Sequence, residues 1–170
     1  MHILSQLRML LLAAWLGSAL YFSAVVAPSA FGALRSFGLA NSGEIAGTIV
    51  TRTLSVVNTS GFLLSLLLLL TAFAVKRFFR PWSFGLQLVL LGVVALTTAV
   101  GEWVIAARMR GLRLAMQGHI DQVPLSDPNR IAFAALHGYS VAALAIAMMA
   151  SLIVIVLILL SCKKEFGRVE

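Results

Sequence analysis

The chain reads as an all-α integral membrane bundle of four transmembrane helices, and three observations lead there. Of its 170 residues, 61% are hydrophobic and 11% are charged, with a mean hydropathy of +1.00, far from the balance of a water-soluble domain. Four stretches, at 9–34, 53–75, 81–101 and 131–162, contain no Asp, Glu, Lys or Arg. The shortest of these has 21 residues, and a helix needs roughly 20 to cross about 30 Å of hydrocarbon at 1.5 Å per residue. No internal repeat or low-complexity linker stands out, so 1–170 is expected to form a single four-span domain.

Span one is expected at 7–34, with Trp15 and Tyr21 on it and Pro28 near its end, where a missing backbone donor kinks or ends a helix. Its apolar stretch is longer than the roughly 7–15 residues of a cleaved signal, so it reads as a retained span. Pro28 would also follow directly after a cut at Ala27. Asn41 and Glu44, three residues apart, predict a capping box that opens span two at 44–75. The first half of that span is polar, with Thr48, Thr51, Arg52, Ser55, Asn58 and Thr59, whereas 62–70 is nearly pure leucine. Lys76, Arg77 and Arg80 make a basic turn, and Pro81 suits the first turn of span three at 81–108. The helical pattern continues to residue 117, so this span either projects into water or bends near Gly111. A loop at 118–129 follows, and Asp127 before Pro128 marks the approach to span four at 130–162.

Both termini and the 76–80 turn share one side of a four-span bundle. That side carries Arg8, Lys76, Arg77, Arg80, Lys163, Lys164 and Arg168; the other carries Arg35, Arg52, Arg108, Arg110, Arg113 and Arg130. Arg52 lies well inside a span, so the flank count favours both termini in the cytoplasm, with a bacterial cytoplasmic membrane as the address. The net charge of +7 forms no basic stripe interleaved with aromatics, which argues against nucleic acid as a partner. Cys162 is the only cysteine, leaving no intrachain disulfide or multi-thiolate metal site.

Depth along each span locates the chemistry. Counted from the side opposite the termini, Arg52, Glu102 and His137 all fall within roughly 7–12 Å of one interface. Phe133, His137 and Ser140 share a helix face, as do Thr48, Arg52, Ser55 and Thr59. A half-open pocket lined by Arg52, Asn58, Glu102 and His137, with Ser140 alongside, is therefore expected in one leaflet, and only leucine and alanine in the other. The bland alternative is a buried pair between Arg52 and Glu102 that only locks the helices. No nucleophile motif, HExxH helix or second intramembrane histidine accompanies these residues, so no catalytic residue, metal or cofactor is expected.

Trp15, Gly17, Phe22, the run Val26, Ala27 and Pro28 with Phe31, the pair Ala46 and Gly47, and above all Phe133, Leu136, His137 and Ser140 carry a family resemblance. The chain resembles the transmembrane protein 205-like family, a four-helix membrane domain of undefined biochemical activity. The resemblance covers nearly the whole chain and does not extend to Gly101, Glu102 and Trp103. It implies a fold and a membrane address. The function expected from the residues is a non-enzymatic helical bundle that binds a ligand or partner, or serves as an accessory subunit of a membrane complex. Partners would be the lipid bilayer and either other membrane subunits or further copies of the chain. A small oligomeric transporter or channel using the polar pocket is the alternative, ahead of metal or redox handling.

Overall fold

The computed structural model describes residues 2–39, 41–76, 81–116 and 120–166. Arg77, Arg80, His119 and Arg168 lie outside the described residues, as do the side chains of Cys162, Lys163 and Lys164. Span one comprises α1 (His2–Tyr21), a π-helical segment (Phe22–Val26) and α2 (Ala27–Ser36). Span two is α3 (Ser42–Val75). Span three comprises α4 (Pro81–Ala99), a second π-helical segment (Val100–Ile105) and α5 (Ala106–Ala115), and span four is α6 (Pro128–Phe166). Among the described residues there is no strand.

Among the described residues, four helices are long and apolar enough to cross a membrane: Ile3–Ser36, Ser42–Phe73, Pro81–Ala115 and Pro128–Leu160. Each would measure about 50 Å if straight, which exceeds the hydrocarbon thickness of about 30 Å. The surplus requires tilt or projection beyond the apolar layer. α1 packs on α3 and α6, and α4 packs on the same two helices. Spans one and three thus occupy opposite corners of an up-down-up-down bundle.

Local chemistry explains where the elements break. Pro28 has no N–H to offer, and the helix widens just before it: the Ala27 N–H reaches the Phe22 carbonyl, five residues back. Gly38, with φ of 66°, ends the turn after α2 in a left-handed conformation that favours glycine. In span three the irregularity lies at Val100–Ile105. Of the two alternatives for the end of span three, the bend near Gly111 is not formed, because that residue sits inside regular α5.

The capping box is also corrected. Asn41 occupies the N-cap of α3 without a side-chain hydrogen bond, and the Glu44 N–H donates instead to Asp121 Oδ2 at 3.2 Å, from the loop after span three. That carboxylate fills the space beside Gly43, where a Cβ would come within 2.3 Å of Asp121 Oδ1. Asp127 caps α6 locally: its Oδ1 accepts the N–H groups of Asn129 at 2.7 Å and Arg130 at 3.2 Å.

Two cores stack along the bundle. One gathers Trp15, Phe22, Val57, Val94 and Leu144; the other gathers Leu12, Leu68, Phe84, Leu91, Val154 and Ile158 towards the termini. In the first, Trp15 Nε1 donates to the Val57 carbonyl at 2.9 Å. The indole lies over Gly61, where a Cβ would fall 2.6 Å from its ring. Close approach of this kind drives helix association in lipid, where dispersion contacts replace the hydrophobic effect.

The expected all-apolar leaflet is not what the structure contains. Arg8, Ser65, Gln87 and Ser151 are buried at the termini end. Arg8, counted among the flanking charges, turns into the bundle and donates to the Leu68 carbonyl. Its burial depends on a carbonyl 60 residues away, so depth along one helix could not reveal it.

Candidate functional site

At the end opposite the termini, spans two, three and four enclose a cavity of about 330 Å³. α3 supplies Arg52 and Ser55, span three supplies Glu102, Arg110 and Arg113, and α6 supplies His137 and Ser140. Span one does not line it; Tyr21, which reaches this level, is exposed. Between the polar groups the wall is apolar, with Val50, Leu54, Met109 and Phe133.

Glu102 belongs to the second π-helical segment and is 9% exposed. Such wide turns recur at functional sites because they displace the face of a helix. Ser55 Oγ donates to Glu102 Oε1 at 2.8 Å, tying span two to span three. Arg52 is exposed on the cavity wall. The pair between Arg52 and Glu102, considered as a helix lock, is not formed: among the described residues the contact given to the Glu102 carboxylate is that from Ser55. Asn58 is buried but does not line the cavity. Its Nδ2 lies 3.1 Å from where a Gly101 Cβ would stand, so the amide packs against the backbone next to Glu102.

Two arginines escaped the sequence reading of the site. Arg113 Nη1 donates to Thr48 Oγ1 at 3.4 Å, and its guanidinium carbon sits 5.5 Å from the Phe133 ring centroid, a cation–π arrangement. Gly47 permits this, since a Cβ there would meet Arg113 Nη2 at 2.8 Å. Arg113 thereby bridges all three helices at the rim. Arg110 lines the same wall and is exposed. The available signal was spacing: Glu102, Ala106, Met109 and Arg113 recur at four, three and four residues, one helical stripe.

Three guanidinium groups against one carboxylate make the cavity positive, and low-dielectric walls strengthen that field. The site is built to hold an anionic group beside an apolar one. Among the described residues no group of three His, Cys, Asp or Glu side chains converges to hold a metal ion.

Residues 10–118 match the family described as "Domain of unknown function (DUF4149)", and the chain belongs to that family. The match covers most of span one and all of spans two and three, and leaves α6, with Phe133, His137 and Ser140, beyond it. No curated protein and no solved structure matches the chain.

Proposed function

For a member of this family, we propose a non-enzymatic role: the bundle binds an amphipathic ligand with an anionic head and an apolar chain in the cavity between spans two, three and four. One observation carries the reading. Arg52, Arg110 and Arg113 face a single carboxylate, Glu102, across walls that are otherwise largely apolar. The cavity's volume of about 330 Å³ falls within the range of small-molecule sites. The resemblance to the transmembrane protein 205-like family belongs to the same proposal, and Phe133, His137 and Ser140 of its motif line the cavity. In this reading the termini lie in the cytoplasm and the cavity opens to the opposite face. A fluorescent reporter that matures only in the cytoplasm, fused to the C-terminus, tests that orientation.

The binding test is radiolabelled palmitate added to the protein in lipid nanodiscs. Saturable binding that weakens about tenfold in Arg110→Ala supports the proposal, the loss corresponding to one charge-assisted hydrogen bond. Non-saturable uptake, or equal binding by the variant, overturns it.

The second reading is a small oligomeric transporter or channel. It is favoured by the π-helical segment that carries Glu102, a wide turn that offers span three an alternative register. Anion flux into liposomes that disappears in Arg52→Ala supports it. Flux unchanged by the substitution removes it.

A further inference from the structure

The buried polar groups at the termini end have no part in the cavity. Arg8 stands one turn before Leu12, Gln87 lies between Phe84 and Leu91, and Ser151 stands three residues before Val154. These spacings of three and four put each polar side chain on the helix face that builds the second core. Arg8 and Gln87 each lie six residues, about 9 Å of helical rise, after the first residue of α1 and α4. Arg8 is 2% exposed, and Gln87 and Ser151 are 0% exposed.

Arg8 Nη1 donates to the Leu68 carbonyl at 2.7 Å and to Thr71 Oγ1 at 2.6 Å. Its Nε and Nη2, both atoms of the Gln87 amide, and Ser151 Oγ have no partner among the described residues. Nε and Nη2 are the two donors along one edge of the planar guanidinium. That edge matches two oxygens of a phosphate or carboxylate, and the Gln87 amide offers a further N–H donor at the same end. Of the chain's six acidic residues, Glu44, Glu102, Asp121 and Asp127 belong to the opposite half, and only Glu165 and Glu170 come after Ser151 in the sequence. A guanidinium in a low-dielectric bundle requires a counter-charge. Lys76, at the C-cap of α3, adds positive charge at this end.

We propose that the termini end of the bundle holds one phosphate group, gripped by the Nε and Nη2 edge of Arg8 with Gln87 as a further hydrogen-bonding group. The phosphate is either that of a phospholipid or free inorganic phosphate. This site is separate from the cavity at the other end and stands whether or not that cavity binds an amphiphile.

The test measures phosphorus per chain in protein purified in a maltoside detergent, after solvent extraction. Lipid phosphorus enters the organic phase and inorganic phosphate stays in the aqueous one. Wild-type protein is expected to carry about one phosphorus per chain, and R8K, which keeps the charge but loses the fork, about tenfold less. Q87L gives the second measurement should R8K not fold, and its phosphorus is expected to fall as well. L70A, altered only at an exposed position outside both sites, retains the wild-type value. Wild-type protein that carries no phosphorus and gains no thermal stability from added phosphatidylglycerol or inorganic phosphate overturns the proposal. So does equal phosphorus in wild type, R8K and Q87L. If E165Q/E170Q destabilises phosphorus-free protein as much as R8K does, the chain's own carboxylates neutralise Arg8 and the proposal fails.

Discussion

At the end away from the termini, three helices stand around a cavity of about 330 Å³ whose Arg52 and Arg110 remain accessible. At the termini end all four helices close on Leu68, Leu91, Val154 and Ile158, none more than 1% exposed. The two halves use the same helices and handle polarity in opposite ways. In the open half, polar side chains line a wall where water or a ligand can meet them. In the closed half, each polar group must be satisfied from within, by a carbonyl, a hydroxyl or something captured between the helices. Removing a side chain should therefore cost stability in one half and binding in the other.

The largest effect is expected in the closed half. Leu91→Ala leaves a void among fully buried neighbours and should destabilise the bundle by about 2–5 kcal/mol, read as a lower midpoint of unfolding in mixed micelles. A midpoint like that of wild type would mean that this half is not tightly closed. At the junction of the halves, Gly61→Ala drives a methyl group into the Trp15 ring, since the site of its Cβ is 2.6 Å from the indole. Overpacking of this kind costs about 1–3 kcal/mol. Trp15 fluorescence should shift at the same time, because the bond to the Val57 carbonyl is strained.

At the open end, Asp121→Ala removes the cap of α3 and should cost about 0.5–2 kcal/mol, while Asn41→Ala should leave the unfolding midpoint where it is. The reverse ranking would restore the local capping box. The smallest stability effect is expected for Arg110→Ala, within about 0.5 kcal/mol of wild type because the side chain is exposed. The same variant should lose most palmitate binding, and the contrast with Leu91→Ala measures how far binding and stability are separated along the bundle.

The four spans were legible in the sequence because membrane partitioning follows composition, and charge-free runs report it directly. That Arg52, Glu102 and His137 gather at one end of the bundle was legible for a similar reason, since helical rise converts residue number into distance. Azimuth was not. Whether Asn58 points into the cavity or against Gly101 depends on how α3 and span three are rotated about each other, and no single helix encodes that. Arg8 was misread because an arginine near the start of a span has the composition of a topogenic flank, whereas its environment is set by Leu68 and Thr71 on another helix. The π-helical segments leave almost no compositional trace, although Pro28 marks the first.

The cap on α3 also orders events in time. The Glu44 N–H is bonded to a carboxylate that lies 77 residues further along the chain. At 5–20 residues per second, roughly 4–15 s of translation separate the two. During that interval the first turn of span two has emerged without the group that completes it, and its free donors must rest on water. Only after span three has entered the bilayer does Asp121 arrive to close that end. Maturation of the second span is thus coupled to insertion of the third, and a ribosome stalled between them would hold a helix whose start is still unfinished.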